Sequence, residues 1–348
     1  MTEKREFFTV IKYIQPVKAD LAEGLVAEVY VQIKRDFGRV VEPFSLHSPL
    51  PKLLAGAWMA SRESELVGHV RRGFKEAVAA AVSKLNQCLY CVDAHSIMLN
   101  ATGEYGIANK ISNARYDEIS NVKIRKLVEW TLATLSPESK ILHAPPFSRQ
   151  DAPEIIGTAV FYHYINRMVS VLLSETPLPS NRPWLKRPLK RVAGLIFSRA
   201  IKRPKTAGNS LQFLPEVDLP TDLCWAEKAP NVAGAFARFA AVVEEVGKFA
   251  LSPRVRAFII ERVNVWNEKA PQLSRSWVEQ AVRGLDEAPK VAARLTLLTA
   301  LAPYQIDEEI VLAFRNHFPE DGKLLGALAW ASFTAARRIG TWLHTPPT

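Results

Sequence analysis

The sequence predicts an all-α protein, and three observations carry that expectation. Apolar residues recur three and four positions apart in segment after segment, as one face of a helix requires. Glycine and proline punctuate those segments, at Pro16, Gly38, Pro137 and Pro183. The stretch from about Val70 to Leu85 is rich in Ala and Val and sets Phe74, Val78, Val82 and Leu85 on one broad face, the mark of a buried helix.

Taken in order, residues 1 to 18 read as an extended arm. A helix over about Ala19 to Phe37 follows, with Leu21, Leu25, Val26, Val29 and Tyr30 as its stripe and Gly38 as its stop. Pro43 to Lys52 is a loop, and a helix over about Leu53 to Arg62 carries Trp58. His47 and His69 are expected in loops or at the surface, because nothing in their spacing ties them to the cysteines. The helix at Val70 to Leu85 breaks at Asn86-Gln87. Asn86 is a good N-cap residue, so a second helix is expected from Gln87 or Cys88. Further helices are expected near Gly106 to Ile111, over about Asn121 to Leu135, and over Ala152 to Leu173.

Thr176 to Pro183 is a proline-rich linker. The segment Asn181 to Lys205 then holds nine Lys or Arg and no acid, nearly all of the chain's net charge of +10. Trp184, Leu185, Leu189, Val192, Leu195, Ile196 and Phe197 supply an apolar side. The expected role is a charged helix wrapping a neighbouring domain or subunit, since Pro183, Pro188 and Pro204 shorten it. Contact of 181–205 with anionic membrane is the alternative, and nucleic acid is not expected.

The second half resembles the first at one constant offset, Val82 meeting Val263 and Asn86 meeting Asn267. Ile124 to Leu135 resembles Ala293 to Leu301, and Ile155 to Leu172 resembles Leu325 to Leu343. The expected division is a first domain over 1–178, a basic linker over 179–230, and a second helical domain over 231–348.

The chemistry concentrates between Phe74 and Met98. Cys88, Cys91 and His95 fall within about 60° of one another on a helical face turning roughly 100° per residue. Cys88 in a first turn would meet free N–H groups and the positive end of the helix dipole, which favour a thiolate. Two thiols so spaced can form a disulfide. A thiolate attacks the O–O bond of a peroxide and becomes a sulfenic acid, which a second thiol resolves. In that reading Cys91 attacks, Cys88 resolves, His95 is the base, and Glu76 on the preceding helix orients it. The same spacing admits two buried apolar thiols. It admits zinc poorly, because three ligands on one turn have no second pair elsewhere. Cys224 has no partner in sight and is expected to be a buried or interfacial thiol.

The run EAVAAAVSKLNQCLYCVDAH resembles the core motif of the AhpD-like alkylhydroperoxidases, within the carboxymuconolactone decarboxylase superfamily. That motif is a glutamate, eleven residues, Cys-x-x-Cys, three residues and a histidine, filled here by Glu76, Cys88, Cys91 and His95. The resemblance implies an all-helical, usually oligomeric protein with no metal or organic cofactor. It implies a peroxidatic Cys91, a Cys88 that forms the disulfide, and a proton relay through His95 and Glu76. Where the best-studied pattern has a histidine before the second cysteine, this chain has Tyr90, a poor base near neutral pH. Tyr90, His163 and Arg167 are expected to line the pocket, the last two because a helix after the motif packs over the site in this family. His163 as a satisfied core histidine and Arg167 as an ion-pair partner are the alternative. On the same alignment the second half has Ala257, Lys269, Gln272 and Ser276 at the four positions and would be silent.

The implied function is a thiol-dependent peroxidase served by a lipoyl, thioredoxin-like or small-thiol donor. Alternatives are a one-shot redox sensor in a binding or scaffold protein and a lactone decarboxylase, the latter disfavoured because both cysteines are retained. Three cysteines, two of them in one motif, suggest a reducing compartment. No apolar h-region opens the chain and no apolar run approaches ~18 residues, so a cytoplasmic protein is expected.

Overall fold

The computed structural model describes residues 11–174, 203–266 and 274–344, with the single positions 177, 197, 198 and 201. Among these, regular structure is helical throughout, apart from one isolated antiparallel bridge between Ile11 and Leu173. The first half runs α1 (Gly24–Phe37), α2 (Glu42–Ser45), α3 (Pro51–Ser61), α4 (Arg72–Leu85), α5 (Leu89–Ala101), α6 (Ile107–Ser112), α7 (Val122–Leu132) and α8 (Ala152–Leu172). The second runs α9 (Pro230–Ala250), α10 (Pro253–Asn264), α11 (Ser276–Val282), α12 (Glu287–Leu301), α13 (Glu308–His317) and α14 (Asp321–Leu343). The basic segment lies outside the described residues except at Phe197, Ser198, Ile201 and 203–205.

Three local expectations are corrected. α1 starts at Gly24 rather than near Ala19, because the chain enters through a φ of +50° there, which glycine takes without strain. Asn86 does not open a helix but closes α4. Gln87 takes a φ of +56° and makes the break, which leaves Cys88 as the N-cap of α5 rather than inside its first turn. His47 is not at the surface but fully buried, with Nε2 2.7 Å from Tyr164 Oη and Nδ1 3.3 Å from Phe44 O.

α8 is the axis of the fold. Every residue from Pro153 to Val169 is buried, so a helix with little amphipathic contrast is stable only because other elements enclose it. α14 lies along α8, and α9 lies along α3, so two helix pairs join the halves. Tyr164 of α8 meets Phe239 of α9 and Phe333 of α14 edge-on, with centroids 5.0 and 6.0 Å away. Arg167 Nε donates to Ala300 O at 2.9 Å, and Trp342 Nε1 donates to Thr134 O at 2.9 Å. The buried apolar residues form one continuous cluster across both halves.

Chain length and this paired packing fit a tandem duplication. At the offset read from sequence, α4 falls on α10 and the motif's outer positions fall on Ala257 and Ser276. Lys269 and Gln272 lie outside the described residues.

Candidate functional site

α3 does not stop at Ser61 but widens into one π-helical turn over Arg62–Leu66, a feature found mostly at functional sites. The wider turn buries Arg62, Glu63, Ser64 and Glu65 in succession. Arg62 and Glu63 face one way: Arg62 pairs with Asp36 at 2.6 Å and with Glu63 at 2.5 Å. Glu63 also takes the N–H of Gly208 and the hydroxyl of Ser210, which ties down the chain after the basic segment. Glu65 faces α4. It accepts from Tyr162 Oη of α8 at 2.8 Å and pairs with Arg72 at 3.1 Å.

The loop between the π turn and α4 is held from α8. The Glu154 carboxylate accepts from the N–H groups of His69 and Val70 and from Lys75 Nζ, the last at 2.6 Å. Gly68, at φ +102°, passes so close that a Cβ would lie 2.2 Å from that carboxyl carbon. Lys75, buried and pushed below its ordinary value by desolvation against the pull of Glu154, is held there as a pair.

This scaffold places Arg72 and Glu76 one turn apart on α4. Arg72 pairs with Glu76 Oε1 at 2.6 Å, and Glu76 Oε2 lies 2.8 Å from His95 Nδ1. The His95 ring stands edge-on to Tyr162, with centroids 4.5 Å apart. The predicted pairing of Glu76 with His95 is thus present as a short contact. The two carboxylates on Arg72 are pushed apart. Burial drives Glu65 above the ordinary carboxylate range, and Arg72 offsets this only in part. Burial acts on Glu76 too, but Arg72 and the bond from His95 outweigh it and hold Glu76 below that range.

One turn back on α5, Cys88 Sγ and Cys91 Sγ are 2.7 Å apart, and both are free thiols. They are buried, 2% and 4% exposed. Burial, and then the bond to Cys88, push the Cys91 thiol well above its ordinary value, while a hydrogen bond from Asn166 works the other way. Cys91 therefore rests as a thiol rather than a thiolate. Among the described residues no hydrogen bond joins His95 to either sulfur.

The other candidates sit around these groups. Tyr90 Oη donates to Glu42 Oε2 at 3.2 Å, away from the sulfurs toward α2. His163 is fully buried, bonded to Asn86 Nδ2 at 3.2 Å and Thr134 Oγ1 at 2.9 Å. Burial and Arg167 hold it neutral, well below the ordinary imidazole range. Arg167 donates to Ala300 O and His163 O. Both act as satisfied core groups. The α8 residue that reaches Cys91 is Asn166, which also accepts from Asn86 at 3.1 Å and donates to Ser83 Oγ at 3.2 Å.

Sequence reasoning missed Asn166, Glu65, Arg72 and Tyr162. A signal existed for one of them: Arg72 lies four residues before Glu76, the spacing of a helical ion pair. Glu65, Glu76 and His95 offer atoms within 4.8 Å of one another, a spacing that suits a metal ion. Arg72 is instead the cation that bridges the two carboxylates, and a second cation there would be repelled. What the arrangement offers is a dithiol within bonding reach and a buried imidazole–carboxylate pair one turn away.

The chain resembles proteins already known. It is 39% identical over 333 residues to an alkyl hydroperoxide reductase of Mycobacterium tuberculosis, covering 96% of this chain and 95% of that protein. A crystal structure of an AhpD-core, uncharacterized peroxidase-related protein from Ralstonia eutropha JMP134 superposes with a TM-score of 0.43 at 21% identity, over 52% of this chain and 97% of that one. No protein-family model matches the chain.

Proposed function

The chain belongs to the AhpD-like alkyl hydroperoxide reductase family, and from that premise we propose that it reduces peroxides through a Cys88/Cys91 dithiol–disulfide cycle. The observation that carries this reading is the 2.7 Å approach of the two sulfurs, one helical turn from the Glu76–His95 pair. In this cycle Cys91 loses its proton to His95, by way of the incoming hydroperoxide or a water. The thiolate then attacks the distal peroxide oxygen. The O–O bond breaks, the alkoxide leaves with the proton from His95, and Cys91 becomes a sulfenic acid. Cys88 attacks that sulfur, water leaves, and a disulfide forms. An external dithiol restores both thiols by exchange.

Burial of both thiols supports a second reading, a sensor that is oxidised once and does not turn over. Turnover separates the two. Given a dithiol donor, an enzyme consumes many equivalents of peroxide per chain, whereas a sensor stops after one. The test of the chemistry is intact mass after one equivalent of peroxide. Wild type is expected to lose two mass units as an internal disulfide, and Cys88→Ser to gain one oxygen at Cys91. A Cys91→Ser protein should do neither. If wild type and Cys88→Ser stay unmodified alike, the cycle is wrong.

A further inference from the structure

The buried cluster behind His95 holds one acid more than a relay of Glu76 and His95 requires. Glu65 and Glu76 share a single guanidinium, that of Arg72; the two carboxylates and His95 are buried, and the Arg72 side chain keeps 16% exposure. With both carboxylates ionised and the imidazole neutral, the cluster carries one uncompensated negative charge. Such a charge is costly where water is excluded, so the cluster has a place for one proton.

The geometry says where that proton goes. His95 Nδ1 is 2.8 Å from Glu76 Oε2, and atoms of Glu65, Glu76 and His95 all lie within 4.8 Å of one another. Glu76 is held by two donors, Arg72 and His95, and keeps its charge. Glu65 is bound less tightly, by Tyr162 Oη at 2.8 Å, by Ser61 Oγ at 3.5 Å, and at 3.1 Å by the same Arg72 nitrogen, Nη2, that holds Glu76 at 2.6 Å.

We propose that Glu65 is a second, proton-storing carboxylate of the His95 relay, the terminal acceptor for the proton that Cys91 gives up. This rests on the thiol-peroxidase reading of the site. The S–H bond of Cys91 breaks, and its proton goes to the free ring nitrogen of His95. The Nδ1 proton passes to Glu76 and on to Glu65. The imidazole stays neutral by exchanging tautomers. The sum is a Cys91 thiolate and a neutral Glu65 acid, from a Cys91 thiol and a Glu65 carboxylate. When the O–O bond breaks the proton returns by the same path to the departing alkoxide, and the store is empty again. Two carboxylates pushed in opposite directions by their surroundings are the usual sign of such a division of labour.

The charged and titratable groups facing Glu65 are Arg72, Lys75 and Glu76 from α4, His95 from α5, and Tyr162 and Glu154 from α8. Lys205, near Arg72 at the end of the basic segment, is pushed down to about 8 chiefly by burial. Of these, Glu65 is the one whose charge is lost when the store is full. Below the pH at which Glu65 ionises the store stays full and Cys91 can give its proton only to solvent; above it the proton moves between Cys91 and Glu65 without leaving the site.

The test reads the thiolate itself, by ultraviolet absorbance against pH in a Cys88→Ser background, so it does not depend on peroxide turnover. Glu65→Gln keeps the shape and removes the acceptor. Above the ionisation of Glu65 the parent is expected to hold a thiolate fraction that does not change with pH, and Glu65→Gln to replace that plateau with a simple titration, about tenfold more thiolate one pH unit above that point. Glu65→Asp is expected to restore most of the plateau. A folded Glu65→Gln protein whose titration superposes on its parent overturns the proposal. So does a change of equal size in both variants, which would mark a merely structural role. Should Glu65→Gln not fold, Tyr162→Phe decides. Removing the donor that stabilises the Glu65 carboxylate makes Glu65 the stronger base and should raise the pH-independent thiolate fraction, and an unchanged titration again overturns the proposal. A protein that passes this test yet consumes no peroxide would instead refute the peroxidase reading.

Discussion

At the scale of single residues, the chemistry divides between groups that hold sulfur and groups that hold protons. The first set was legible in the sequence, because a fixed spacing puts Cys91 and His95 one turn apart on α5, and Cys88, though its N-cap rather than part of its first turn, still falls one turn before Cys91. The second was legible only where it is local. Glu76 was reached through its place in the motif, while Glu65 comes from another helix and Tyr162 from a third, meeting only in three dimensions. His163 and Arg167 are expected at the site because the helix after the motif packs over it in the family the chain resembles, yet it is Asn166 between them that bonds to Cys91. A register of one residue decides this, and periodicity does not resolve it. Glu76→Gln tests the local set. It leaves the hydrogen bond to His95 possible but removes the charge that orients the ring, and positioned bases of this kind contribute roughly 10²–10⁴ in rate. The peroxide-dependent oxidation of Cys91, followed by rapid mixing, should slow by at least the lower of those factors, with Cys88–Cys91 disulfide formation still complete at long times.

At the scale of elements, the site depends on how closely α8 approaches the π turn. Gly157 makes that approach possible: a Cβ there would lie 2.9 Å from Ser64 Cβ and 3.3 Å from the rings of Phe236 and Trp225. Gly157→Ala therefore overpacks a joint with no slack, at a cost of about 1–3 kcal/mol. Because Ser64 adjoins Glu65, activity should fall further than the loss of folded protein explains. A urea titration with unchanged slope, set beside the rate per folded molecule, measures the two effects separately. Lys75→Met strikes the same layer differently. It leaves the buried Glu154 carboxylate with the loop's backbone donors and the half-exposed His69 ring, whose Nδ1 lies 2.8 Å away, and removal of one partner from a buried pair costs about 3–5 kcal/mol. The expected result is a large fall in the urea midpoint, partly recovered in a Lys75→Met, Glu154→Gln double variant. Helix positions were largely legible in the sequence, while their ends were not. Asn86 has the preferences of an N-cap, but its amide is taken by His163 and Asn166 of α8, so tertiary contact overrode local preference.

At the scale of the whole molecule, the sequence suggested two halves, and the folded chain shows why neither stands apart. α8 is enclosed by α14 and, through Tyr164, by aromatic rings of α9 as well, so the core is one body. His47 belongs to this joint. Its Nδ1–H donates to Phe44 O and its Nε2 accepts the Tyr164 hydroxyl, an arrangement complete without a second ring proton. Tyr164, raised well above the ordinary phenol range by burial, keeps its own proton to give. Burial lowers His47 from 6.5 to about 4, with the backbone bonds opposing only in part. Above pH 6.5 the ring is neutral in both folded and unfolded chains, and it has no effect on stability. Between 6.5 and about 4 the unfolded chain takes up a proton that the folded chain refuses. Stability therefore falls as the pH falls through that window, by roughly 3 kcal/mol in all from this group. His163, held neutral beside Arg167, adds to the same slope. The melting temperature should drop steadily from pH 6.5 to 4. In His47→Gln, whose amide can bond the same two partners and does not titrate, the drop should be visibly shallower even though the starting temperature is lower. Parallel curves for the two proteins would show that acid loosens the molecule elsewhere than at the seam between its halves.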